Sequence, residues 1–138
     1  MKLYDTLSRK KKVLAPDDGG IKMYVCGITP YGPAHIGHAL SYVTFDVIRR
    51  YLEYRGYPVS HIQNFTDVDD KIIDKAKKEG ISCGDLTGRY IEEYFVDMDA
   101  LGVKRADEYP KVTDEISDIV KMIQVLIDKG YAYQASSD

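Results

Sequence analysis

The sequence predicts an α/β fold, a parallel sheet with flanking helices, and three stretches carry that prediction. Residues 21–27 read as a strand, residues 35–55 as a long helix and residues 58–65 as a second strand. Strand, helix, strand in that order is the β-α-β unit, whose crossover helix lets the two strands run parallel.

Each element has its own signal. Residues 1–20 form a leading segment that ends in the turn Pro16-Asp17-Asp18-Gly19-Gly20. The basic run Arg9-Lys10-Lys11-Lys12 within it reads as solvated, as charge runs near termini generally are. In the first strand Met23, Val25 and Gly27 alternate with Lys22, Tyr24 and Cys26. The turn Ile28-Thr29-Pro30-Tyr31-Gly32-Pro33 follows. Then Ile36, Leu40, Val43, Val47, Ile48, Tyr51 and Leu52 recur at helical spacing, with Gly56 as a C-terminal stop. After the strand Pro58–Phe65, Thr66-Asp67-Val68-Asp69-Asp70 leads into a helix from Lys71 to Lys78, stopped by Gly80. A second amphipathic helix spans residues 85–101, with Leu86, Tyr90, Ile91, Tyr94, Phe95, Met98 and Leu101 on one face. Thr113 is placed to N-cap a third, with Asp114 and Glu115 in its first turn and Ile116, Ile119, Val120, Ile123 and Ile127 buried. Gly130 ends that helix, and Tyr131-Ala132-Tyr133-Gln134 starts a strand that has no partner before Asp138. Residues 1–138 thus read as a single domain, cut from a larger protein.

Composition excludes several classes. With 44% hydrophobic and 30% charged residues the chain reads as soluble and globular, and no run approaches the ~18 apolar residues of a membrane span. No apolar stretch follows Met1 to make a signal peptide, so no membrane partner is expected. Cys26 and Cys83 lie in unrelated contexts and make no disulfide framework, which points to the reducing cytoplasm. A net charge of -3 argues against a chain that coats nucleic acid non-specifically.

Two strand-to-loop junctions carry the chemistry, Cys26 to His38 and Asn64 to Asp70. In an open α/β sheet ligands bind beyond the carboxyl ends of parallel strands, where both junctions would meet. His35-Ile36-Gly37-His38 opens the long helix, whose first N–H groups suit phosphate, and two imidazoles there add donors. Gly37 costs about 1 kcal/mol in a helix relative to alanine, which favours close approach of a ligand over a chance glycine. Cys26 reads either as a small buried hydrophobe or, with His35 and His38, as part of a zinc site. For Asp67, Asp69 and Asp70 three readings stand: Mg²⁺ binding, substrate binding alongside the Thr66 hydroxyl, and capping of the next helix. Lys71 and Lys75 read as solvated, and Cys83 as structural.

Together these residues resemble the class I aminoacyl-tRNA synthetases, and within them the cysteine–tRNA ligases. The resemblance runs from Leu3-Tyr4-Asp5-Thr6-Leu7 through Met23-Tyr24-Val25-Cys26-Gly27-Ile28-Thr29-Pro30-Tyr31, His35-Ile36-Gly37-His38 and Phe45-Asp46-Val47-Ile48-Arg49-Arg50-Tyr51-Leu52. It continues over Gln63-Asn64-Phe65-Thr66-Asp67-Val68-Asp69-Asp70-Lys71-Ile72 to Lys129-Gly130-Tyr131-Ala132-Tyr133. It implies a Rossmann-like catalytic domain that activates L-cysteine with ATP and Mg²⁺ and passes it to tRNA(Cys). His35, Gly37 and His38 would bind ATP, with His35 and His38 the catalytic pair that stabilises charge at the α-phosphorus. Cys26 would be the first ligand of a zinc ion that binds the substrate thiolate and so separates cysteine from serine. Gly27, Thr29 and Thr66 would line the cysteine pocket.

The departures set limits. The remaining zinc ligands of that family and its second ATP loop, of the K-M-S-K-S type, are absent from this sequence. Residues 1–138 therefore read as the N-terminal half of the catalytic domain, expected not to aminoacylate tRNA alone. Three alternatives remain. A cysteine ligase of the mycothiol pathway shares the H-x-G-H and the thiolate-binding cysteine; a catalytically silent synthetase-derived binding module keeps the fold. A phosphatase built on Asp67-Val68-Asp69 ranks below both, because His61 to Phe65 looks too polar for a buried central strand.

Overall fold

A computed structural model describes residues 1–14, 16 and 20–135. Strands β3 (Ile21–Val25) and β4 (Val59–Gln63) pair in parallel, Ile21 opposite Val59 and Val25 opposite Gln63. Helix α1 (Ile36–Tyr54) is their crossover, so the expected β-α-β unit is present. Before it, β1 (Lys2–Asp5) and β2 (Lys10–Val13) form an antiparallel hairpin where only a leading segment was expected. Asp5 organises its turn, accepting from the Ser8 hydroxyl at 2.6 Å and pairing with Lys12 at 2.6 Å. Most of the turn expected at 16–20 lies outside the described residues.

Strand β3 stops two residues earlier than its alternation suggested. The reason is that Gly27 gives its N–H to the Asn64 side chain at 2.8 Å rather than to a ladder partner. Beyond β4 the segment 107–112 runs alongside as a third, irregular strand, with the Gln63 and Phe65 N–H groups donating to the Glu108 and Pro110 carbonyls. Strand β4 is therefore interior despite its polar residues: Gln63 donates to the Tyr94 hydroxyl at 2.6 Å, and His61 packs beside Arg49 with its Nε2 unpartnered among the described residues.

Helices α2 (Asp70–Glu79) and α3 (Cys83–Ala100) follow with ends close to those expected. Their shared face buries Ile72, Ala76, Leu86 and Tyr90 around Cys83. The main core joins Val25, Ile28, Tyr42 and Phe65 to Ile91, Tyr94 and Met98 of α3. At its centre Phe65 stacks on Tyr109 at 5.4 Å and meets Tyr94 and Phe95 edge-on, geometries in which aromatic pairs attract beyond their buried area. Leu101, expected on this face, is exposed.

Burial departs from the apolar pattern on two helices, for one physical reason each. On α1 the inner stripe is Tyr42, Asp46, Arg49 and Leu52, while Leu40, Val43, Val47 and Tyr51 face solvent. Polar residues take the inner positions because residues 102–107 bring them partners. Arg49, 3% exposed, donates to the Arg105 carbonyl at 2.7 Å, to Asp107 at 2.8 Å and to Glu53 at 3.0 Å. Asp46 accepts from the Lys104 N–H at 3.0 Å and from Arg50 at 2.7 Å.

Helix α4 (Ile116–Asp128) forms, but Ile116, Ile119, Val120, Ile123 and Ile127 are exposed because no element among the described residues packs on that face. Thr113 does not cap it. It lies in a 3₁₀ turn (Val112–Asp114), and its hydroxyl donates to the buried Asp67 carboxylate at 2.6 Å, a charge-assisted bond stronger than a neutral cap. Residues 131–135 form no strand, and none of the described residues pairs with them. No helix among the described residues is long and apolar enough to cross a membrane.

Candidate active site

Beyond the carboxyl ends of β3 and β4 lies an open cleft of about 500 Å³. Gly27, Ile28, Thr29, Tyr31, Gly32, Pro33, His35, His38 and Lys71 line it. Of the residues singled out in the sequence it gathers Gly27, Thr29, His35 and His38. Cys26, Gly37 and Thr66 stand next to lining residues without forming its wall.

The two histidines also make the cap of α1. His35 Nδ1 accepts from the Gly37 N–H at 3.1 Å, and His38 Nδ1 accepts from the His35 N–H at 3.2 Å. This is a capping box built from imidazoles, with the rings stacked 3.8 Å apart and 19° from parallel. A ring that accepts through Nδ1 carries its neutral-state proton on Nε2, so each imidazole keeps an N–H donor that the cap does not use. Protonation at Nδ1 would break the cap. Burial, and then the neighbouring His35, hold the His38 pKa below its ordinary value, which favours the neutral donor form. Gly37 has a structural reason of its own, since a Cβ there would lie 2.9 Å from the His35 ring.

The floor of the cleft is where the two strand ends meet. A Cβ on Gly27 would sit 1.4 Å from the Asn64 carbonyl oxygen, so only glycine permits the approach. Thr66 extends the contact: its N–H donates to the Ile28 carbonyl at 3.0 Å and its hydroxyl accepts from Asn64 at 3.3 Å. Cys26 is exposed at the end of β3, and its carbonyl accepts from the buried Tyr42 hydroxyl at 3.4 Å. Its thiol is the one soft donor at this edge. His35 and His38 spend Nδ1 on the cap, and no group of three or more His, Cys, Asp or Glu among the described residues could hold a metal ion. Cys26 with His35 and His38 therefore makes no complete metal site among the described residues.

The catalytic-domain model of the class I (C) tRNA synthetases matches residues 12–138. The chain belongs to that family. Among relatives of this class I synthetase chain, the cysteine–tRNA ligases of Clostridioides difficile and Archaeoglobus fulgidus are 55% and 56% identical over the whole chain. That of Pyrococcus abyssi is 53% identical over 99% of it. The chain spans about 30% of the length of these curated relatives. A crystal structure of the ternary complex of Agrobacterium radiobacter K84 agnB2 LeuRS, tRNA and LeuAMS shares the fold. Its TM-score is 0.65 at 26% identity, over 84% of this chain and 15% of that one.

The aspartates of this synthetase chain divide their work. Asp69 caps α2, accepting from the Lys71 N–H at 2.9 Å, and Asp70 lies in its first turn. Asp67 does something the sequence did not suggest: it holds the Thr113 N–H and hydroxyl, tying the chain after β4 to the turn before α4. Lys71 and Lys75 are not simply solvated. Lys71 lines the cleft, with Nζ 5.5 Å from the centre of the Tyr31 ring. Lys75 donates to the Tyr31 carbonyl at 2.9 Å and to the Tyr90 hydroxyl at 2.7 Å. Their spacing of four residues on α2, directly after the second junction, is the signal that could have placed both on the face toward the Tyr31 loop.

Proposed function

We propose that this chain forms the ATP- and cysteine-facing part of a cysteine–tRNA ligase, the N-terminal half of its catalytic domain. Convergence of Gly27, Thr29, His35 and His38 on one cleft at the carboxyl ends of parallel strands supports that reading most, together with relatives above 50% identity. In it ATP, with Mg²⁺, lies against His35, Gly37 and His38. The cysteine carboxylate attacks the α-phosphorus in line, giving cysteinyl-adenylate and pyrophosphate, and tRNA(Cys) then takes the cysteinyl group. The neutral imidazoles donate Nε2–H to oxygens where negative charge grows, so they stabilise the transition state more than the ground state. Gly27, Thr29 and Thr66 border the amino-acid pocket. Cys26 is the thiolate this chain contributes to a zinc ion, which when bound by further residues of the protein supplies selectivity for a thiol over a hydroxyl.

The test is amino-acid-dependent ATP–pyrophosphate exchange by the intact protein. Exchange is expected with L-cysteine and not with L-serine, and cysteine is expected to be transferred to tRNA(Cys). The isolated 138-residue chain is expected to show no exchange. Exchange without transfer to tRNA would redirect the proposal toward another acceptor, and no exchange by the intact protein would end it.

A further inference from the structure

The cleft has a charge problem if it is to hold a nucleoside triphosphate. At the start of α1 the His35 and Gly37 N–H groups are spent on the histidine cap, and neutral imidazoles donate hydrogen bonds without adding net charge. Lys71 is the one cationic side chain among the described residues that line the cleft. It is also uncommitted: no carboxylate lies within 4 Å of its Nζ among the described residues, whereas Lys12, Lys75, Lys104 and Lys121 each have one. Asp69 beside it in sequence is occupied with the Lys71 backbone N–H, not the ammonium. The exposed Lys71 ammonium lies 5.5 Å from the centre of the Tyr31 ring, one turn from the Lys75 that holds the Tyr31 carbonyl, so it stays at the cleft and has only an aromatic face as neighbour.

We infer that Lys71 is the cation that docks the polyphosphate of the nucleotide, in the cleft it lines together with His35 and His38. This rests on the nucleotide-binding reading above. Lysine suits the task as a compact point charge that can follow a flexible polyphosphate. Its contact belongs to ground state and transition state alike, so its loss is expected in nucleotide binding more than in turnover.

The experiment compares intact wild-type protein with Lys71→Met and Lys71→Arg. Titration with ATP and with adenosine reports the phosphate contribution, and ATP–pyrophosphate exchange reports KM and kcat. Lys71→Met is expected to weaken ATP binding and raise the KM for ATP by roughly 10- to 100-fold, the scale of one charge-assisted bond. Adenosine affinity and the KM for cysteine should stay unchanged, kcat should stay within about threefold, and Lys71→Arg should recover most of the loss. The melting temperature of Lys71→Met should lie within about 3 °C of wild type, as for an exposed side chain. An unchanged ATP affinity in Lys71→Met overturns the inference, as does an equal loss in Lys71→Arg accompanied by a lowered melting temperature. Tight ATP binding that depends on Lys71, without cysteine-dependent exchange, would instead uphold the inference and remove the proposed reaction.

Discussion

Gly27 and Asn64 hold the ends of the two parallel strands in contact: the Gly27 N–H donates to Asn64 Oδ1 at 2.8 Å while the Asn64 carbonyl lies where a Cβ would be. The cleft is built on that contact. Gly27→Ala must push the strands apart, and the obstacle is backbone, which cannot rotate away as a side-chain tip could. A destabilisation at or above the upper end of about 1–3 kcal/mol is expected. Urea unfolding of the variant checks it, and a midpoint equal to wild type would show that the strands separate freely.

His35 should have two separable roles. Asparagine is a good N-cap and can take over the bond to the helix start, whereas alanine cannot. His35→Ala is expected to lose about 1 kcal/mol of stability and His35→Asn little. Both remove the ring donor, so cysteine-dependent exchange should fall by about 10²- to 10³-fold in each. Activity that tracks thermal stability across the two variants would assign His35 to the cap alone.

Arg49 carries the polar inner face of α1. Arg49→Met removes the donor to Asp107 Oδ1 and the Arg105 carbonyl, while Asp107 Oδ2 keeps the His61 N–H. Breaking a buried ion pair costs about 3–5 kcal/mol, and the lower end is expected because Asp107 is half exposed and can rehydrate. Denaturation curves of Arg49→Met and of Arg49→Lys should both show a loss, since lysine lacks the fork that reaches three partners at once.

His61 predicts a pH dependence. Burial, then the Arg49 charge, lower its pKa in the folded chain, with Asp107 and Asp46 opposing more weakly. As pH falls, the unfolded chain therefore takes up the proton first. Stability from this group is complete above the unfolded pKa of about 6.5 and declines below it, until the folded ring protonates as well. The chemical midpoint in urea should drop between pH 7.5 and 5.5, and His61→Asn should flatten that drop. Parallel profiles for the two proteins would exclude His61 as the source; His38 shifts in the same direction and accounts for a remainder.

Phe65 is the test of the aromatic core. It is 1% exposed at the junction of β4, α3 and the 107–112 segment. Phe65→Ala should cost about 3–5 kcal/mol and Phe65→Leu clearly less. Equal losses would mean that the ring geometry, rather than filled volume, sets the stability there.

Local features of this chain were legible from its residues alone. Alternation marked β3, helical spacing marked α1 and α3, and Gly56 and Gly80 marked helix ends, because side-chain period and permitted φ are properties of short windows. His35, His38, Gly27 and Thr29 were legible for the same reason, each lying at a strand end or helix start that the pattern located. Which distant groups satisfy one another emerged only from the three-dimensional packing. Asp67 with Thr113 and Arg49 with Asp107 are separated by 46 and 58 residues, and each bond overrules a local preference. One takes the expected cap from α4, and the other turns the apolar stripe of α1 outward. The same holds for Lys71, an ordinary exposed lysine in sequence. It lines the cleft because residues 64–69 carry the chain from the end of β4 into α2 beside the cleft, a relation that depends on chain path and not on residue type.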